Sequence, residues 1–106
     1  MSFRYMRVIV FFDLPTETVK DRKIYSKFRK LLINDGFIML QESVYSKLAL
    51  NASIANSIRD RVYKNKPPKG IVQMLTITER QYSSIEYVVG EGNSDIIDNT
   101  ERLTIL

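Results

Sequence analysis

Phe3-Arg4-Tyr5-Met6-Arg7-Val8-Ile9-Val10-Phe11-Phe12 is rich in β-branched and aromatic residues and stops at Asp13-Leu14-Pro15. Such a run reads as a strand. Towards its end both alternating sets are apolar, with Val8, Val10 and Phe12 on one face and Ile9 and Phe11 on the other. A strand buried on both faces belongs in the middle of a sheet.

The remaining elements are read outward from that strand. A helix begins near Thr16 or Thr18; Thr18 is followed three residues later by Asp21, a variant of the capping box. Ile24, Tyr25, Phe28, Leu31 and Leu32 form its apolar stripe, and Gly36 terminates it. Residues 37–50 read as one or two strands with a bend at Gln41-Glu42-Ser43. Asn51 or Ser53 caps a second helix striped by Ile54, Ala55, Ile58 and Val62. The two prolines in Asn65–Gly70 impose a loop, and residues 71–78 form another strand, apolar at both parities. Glu86–Val89 and Leu103–Leu106 are weaker strand candidates.

The order β-α-β-β-α-β is the ferredoxin-like arrangement, an α+β fold. It predicts one domain over residues 1–80, a tail over 81–106, and an additional C-terminal strand. Both helices then lie on one side of the sheet. The opposite side is apolar and lacks a third helix to cover it, so a sheet-to-sheet homodimer is the expected solution.

Composition excludes much chemistry. With no cysteine and no histidine among 106 residues, disulfides, thiolate or imidazole zinc sites, thiol nucleophiles and Ser-His-Asp triads are impossible within the chain. Catalysis must come from carboxylates, hydroxyls, lysine, tyrosine or a hard cation held by oxygen. No apolar run reaches the roughly 20 residues of a membrane span, and Arg4 and Arg7 interrupt any signal-peptide pattern, so a cytoplasmic location without membrane contact is expected.

The net charge of +4 divides unevenly. Residues 1–80 hold fifteen Lys/Arg against seven Asp/Glu, a balance of +8; residues 81–106 hold Arg102 against five acids, a balance of −4. A basic body with an acidic tail points to a polyanionic partner. Lys20, Arg22, Lys23, Lys27, Arg29 and Lys30 on the first helix are candidate phosphate-backbone contacts. So are Arg59, Arg61, Lys64, Lys66 and Lys69 around the second helix and its loop. Base-stacking aromatics are not evident, so backbone contact is expected over base readout.

Asp13 is the candidate for chemistry. It stands at the end of the first strand beside a basic helix, where a magnesium ion and a phosphodiester have room to meet. Magnesium accepts one or two carboxylates and retains waters. The same aspartate also suits a plain turn ahead of a helix.

Several spaced motifs converge here: Phe11-Phe12-Asp13-Leu14-Pro15; Arg22-Lys23-x-Tyr25-x-x-Phe28-Arg29-Lys30-x-Leu32; and Gly36-Phe37-x-Met39-x-Gln41-x-Ser43-Val44-Tyr45. Together they resemble the CRISPR-associated endonucleases of the Cas-two family, in the branch found with single-effector systems. The resemblance implies a subunit of the spacer-acquisition complex, dimeric through facing sheets, with the C-terminal strand packed on the partner protomer. It implies that Asp13 of both protomers binds a divalent metal, magnesium or manganese, and that CRISPR integrase dimers flank the dimer while DNA lies across it. RNA or double-stranded DNA cleavage both fall within the family. Many members carry Tyr where Phe12 stands, so that hydroxyl is lacking here. Rival readings are a non-catalytic DNA-binding scaffold, a small regulatory ligand-binding domain and a toxin-like ribonuclease.

Overall fold

The first strand takes the central place that its two apolar faces demand. In the structure, a computed structural model that describes residues 5–90, β1 (Met6–Asp13) lies between β3 (Val44–Ala49) and β4 (Ile71–Thr78). The β2 strand (Ile38–Gln41) flanks β3, giving the order β2-β3-β1-β4 with every neighbouring pair antiparallel. Helices α1 (Val19–Asn34) and α2 (Ala52–Lys64) complete the ferredoxin-like β-α-β-β-α-β order. Glu42 and Ser43 turn the chain between β2 and β3, within the bend read from the sequence.

Local chemistry sets the helix ends. Thr18 caps α1 through a reciprocal box: the Asp21 amide donates to Thr18 Oγ1 at 2.9 Å and the Thr18 amide donates to Asp21 Oδ2 at 3.2 Å. Asn51 caps α2 by accepting from the Ile54 amide at 2.9 Å. Such caps satisfy amides that the helix leaves orphaned and contribute about 1 kcal/mol each.

The core lies between the sheet and the helices. Val8, Val10 and Phe12 meet Phe28 and Leu32 of α1 and Ala55, Ile58 and Val62 of α2. Phe12 is its hub: its ring stands edge-on to Phe28 (5.3 Å) and Tyr25 (5.7 Å) and stacks on Tyr45 (5.7 Å). Burying each large apolar side chain contributes roughly 1.5–3 kcal/mol. On the other side of the sheet the register places Ile71 and Leu75 of β4, Leu48 of β3 and Ile38 of β2. These four remain 40–57% exposed, an apolar surface around the buried Ile9.

Two sequence expectations need correction. Ile54 is 40% exposed, because Ala55, Ile58 and Val62 suffice to fill the α2 contact. Glu86–Val89 joins no ladder in the single chain; Val88 and Val89 are 92% and 88% exposed, since no sheet edge lies beside them to satisfy a strand backbone. A short helix that was not read from the sequence, α3 (Glu79–Tyr82), follows β4, capped by a Thr78–Gln81 box. Arg7 holds it with two hydrogen bonds to Glu79 (2.8 and 2.7 Å), and its guanidinium lies 4.2 Å from the centre of the Tyr82 ring. The Leu103–Leu106 strand candidate lies outside the described residues. Among the described residues no helix is long and apolar enough to cross a membrane.

Candidate functional site: a carboxylate rim beside a lysine stripe

Asp13 is the last residue of β1, exposed at the rim of the sheet, with no ion-pair partner among the described residues. Its backbone is packed from below. Gly70 adopts φ +96°, and a Cβ there would lie 2.9 Å from the Asp13 carbonyl oxygen and 2.6 Å from Leu14 Cδ2. Only glycine lets the loop between α2 and β4 close on Asp13 in this way. Lys69 tethers the same loop to the first turn of α1, 3.6 Å from Asp21 Oδ1. Asp21 is nearly buried, and the Thr18 amide, aided by Lys69, holds its carboxyl below the usual aspartate range against the opposing effect of burial.

A cavity of about 450 Å³ opens beside Asp13, lined also by Leu14, Thr16, Arg22, Tyr25, Ser26, Glu42 and Ser43. The β1–β3 pairing brings the turn there: Phe11 lies opposite Val44, and the Phe12 amide donates to the Ser43 carbonyl at 3.0 Å. The cavity is thus assembled from the end of β1, the first turns of α1 and the β2–β3 turn. Beyond it, an open groove of about 660 Å³ follows α1 past Arg22, Lys23, Ser26, Lys27 and Lys30 to Asn34.

The basic residues fall into two groups. Lys20, Lys23, Lys27 and Lys30 are exposed on α1, spaced by three or four residues as one stripe, and without ion-pair partners among the described residues. Lys64 is likewise exposed and unpaired among them, and Lys66 donates only a long 3.5 Å contact to the Tyr63 carbonyl.

The four candidate arginines are engaged within the protein. Arg22 Nη1 donates to the carbonyls of Thr16 and Glu17, both at 3.1 Å, and so shapes the turn after Asp13. Arg29 Nε donates to the buried Tyr45 hydroxyl at 2.9 Å. Arg59 donates to Thr76 Oγ1 at 2.8 Å and to the Asn56 side chain. Arg61 grips the Asp35 carboxylate with two bonds, 2.8 and 3.2 Å, and Lys47 approaches the same carboxylate at 3.6 Å.

Sequence reasoning missed three contributors to the rim, Tyr25, Glu42 and Ser43, and one exposed aromatic away from it, Tyr63. Tyr25 packs its ring on the core as its place in the apolar stripe predicts, and its hydroxyl also reaches the cavity, 3.5 Å from Ser43 Oγ. Glu42 and Ser43 read only as turn residues; the strand pairing that carries them to Asp13 has no local signature. Tyr63, 62% exposed between the basic residues of α2 and its loop, presents an aromatic ring to solvent. Among the described residues no group of three or more acidic or other metal-ligating side chains gathers anywhere.

An antiparallel sheet with two helices on one side and a free carboxylate at its rim defines the class: a small ferredoxin-like α+β domain. The family described as CRISPR associated protein Cas2 matches residues 6–85. The CRISPR-associated endoribonuclease Cas2 of Treponema denticola is 54% identical over 101 residues, covering 95% of this chain and all of that protein. The protein of the same name from Streptococcus mutans is 46% identical over 101 residues, covering 95% of this chain and 93% of the relative. A solved structure titled "Crystal structure of cas2" superposes with a TM-score of 0.57 over 85% of this chain and 92% of the other, at 19% identity, a likeness of fold alone. The chain belongs to the Cas2 family of CRISPR-associated proteins.

Proposed function

We propose that this protein is a homodimeric, metal-dependent nuclease subunit of the CRISPR spacer-acquisition machinery, working in the cytoplasm with the CRISPR integrase as its partner. The observation that carries the reading is an exposed carboxylate, unpaired among the described residues, in a cavity that opens onto a stripe of free lysines. The lysines hold a phosphate backbone electrostatically, and Asp13 receives the phosphodiester at the rim. The name endoribonuclease borne by the relatives favours RNA as the cleaved polymer, while the adaptation role calls for duplex DNA on the basic surface.

The donor set suits a hard cation. Two carboxylates lining the cavity, Asp13 and Glu42, with no group of three or more ligands among the described residues, match magnesium or manganese that retains most of its waters. A second copy adds its own Asp13 where a two-fold axis passes the rim. When bound, the ion supplies charge neutralisation at the phosphoryl oxygens and a more acidic water. Asp13 holds it, and the lysine stripe keeps the polymer in register.

Asp13→Asn is expected to abolish cleavage of single-stranded RNA and duplex DNA, assayed side by side, while leaving the melting temperature nearly unchanged because the residue is exposed. Cleavage at the wild-type rate, or cleavage that persists in excess chelator, overturns the metal role. Lost cleavage with spacer acquisition intact makes the cellular role that of a scaffold. The exposed face bearing Ile38, Leu48, Ile71 and Leu75 supports the dimer. Sedimentation is expected to give about twice the 12.4 kDa chain mass, and truncation after Ile85 to weaken association; a stable monomer at micromolar concentration removes the dimer.

A further inference from the structure

The groove along α1 and the cavity at Asp13 share two residues, Arg22 and Ser26. They therefore adjoin on a single chain, the groove lined by lysines and the cavity by carboxylates. At the junction stand donors that the proposed chemistry does not use. The Tyr25 hydroxyl and Ser43 Oγ lie 3.5 Å apart, the outer limit of a hydrogen bond, so each O–H is open to a better acceptor. Ser26 is exposed on the first half of α1. Arg22 commits Nη1 to the two loop carbonyls, which fixes the guanidinium at the junction with its other nitrogens available to a ligand.

We propose that this cavity is a phosphate subsite for a single polynucleotide strand, in which Arg22 and the hydroxyls of Tyr25 and Ser26 donate to the non-bridging oxygens of the phosphate that reaches Asp13. The inference rests on the nuclease reading above and extends it by naming the groups that read the phosphate and the kind of strand that enters. A cavity of about 450 Å³ accepts a group of small-molecule size, one nucleotide of a strand and not the width of a duplex. The arrangement also carries its own condition. Asp13 and Glu42 line the same cavity, and two carboxylates repel a phosphate unless a divalent cation lies between them. Binding to the lysine stripe needs no cation; seating in the cavity does.

The test uses a fluorescein-labelled pentanucleotide and fluorescence anisotropy, with calcium replacing magnesium to hold back cleavage, and in parallel with chelator. Tyr25→Phe and Ser26→Ala, each made singly, are each expected to weaken binding about tenfold in calcium, the size of one lost hydrogen bond to a charged group, and to leave binding in chelator unchanged. Tyr25→Phe keeps the ring packed against Phe12, and Ser26→Ala alone, on an exposed helical position, provides a variant that retains the fold. The triple charge reversal of Lys23, Lys27 and Lys30 to Glu is the reference. If it abolishes binding while the hydroxyl variants bind as wild type in calcium, the subsite is wrong and the nuclease reading stands. If the lysine variant also binds as wild type, the reading beneath it fails. Equal losses in calcium and chelator overturn the cation-dependent seating. A duplex of the same length binding the cavity variants and wild type with the same tenfold difference overturns the single-strand assignment.

Discussion

Helix α1 carries six basic residues and α2 three, and the two helices use them in opposite ways. On α1, Lys20, Lys23, Lys27 and Lys30 point to no acid among the described residues; on α2, Arg59 and Arg61 are tied to Thr76, Asn56 and Asp35. A count of charges on the two helices would treat them as one surface. Partners divide them into a face available to a polyanion and a face that fastens the fold.

The comparison breaks if α2 binds as strongly as α1. Charge reversal of Lys23, Lys27 and Lys30 together is expected to lower affinity for a 20-base-pair duplex by roughly a hundredfold or more at 0.15 M salt, with a shallower dependence of log affinity on log salt. Arg59→Ala with Arg61→Ala is expected to leave affinity within about threefold and to lower the melting temperature instead. Filter binding and thermal melts on the same preparations give both readouts, and the reverse pattern ends the distinction.

Asp35 sharpens it. Its carboxylate takes two bonds from Arg61 and sits beside Lys47, joining the end of α1 to α2 and β3. Asp35→Ala is expected to cost about 1 kcal/mol of stability by urea titration, since the pair is partly exposed. Freeing two cations, it is also expected to raise duplex affinity a few-fold. Unchanged affinity would mean that the α2 face lies out of reach of the polymer.

The smallest effect concerns acid. Asp21 caps α1 with its carboxyl held below its unfolded value, chiefly by the Thr18 amide. A group whose folded pKa is depressed stabilises fully above its unfolded pKa and loses that contribution as pH falls through the folded value. Stability is therefore expected to fall more steeply in the acid range for wild type than for Asp21→Asn, by melts between about pH 5 and pH 2. Parallel curves would show that the cap carries no linkage.

Much of the fold was legible because its signals are local. Val8 to Phe12 alternate apolar on both sides, which places β1 in the centre, and Thr18 with Asp21 announces the start of α1. The α3 helix escaped notice although Thr78 and Gln81 form a capping box, because the box is embedded in the end of a β-branched run that reads as strand. The arginine partners were hidden for a different reason. Arg61 meets Asp35 across 26 positions and Arg29 meets Tyr45 across 16, and no spacing rule within a helix anticipates such pairs. Asp13 was visible as a strand end; Tyr25, Glu42 and Ser43 became its neighbours only once the β2–β3 turn was seen beside β1.

The bare backbone of Gly70 against the Asp13 carbonyl has a mechanical consequence. With no side chain between them, the loop and the end of β1 are in direct van der Waals contact, without the give of an intervening rotamer. A displacement of the loop would therefore pass straight to the backbone that seats Asp13.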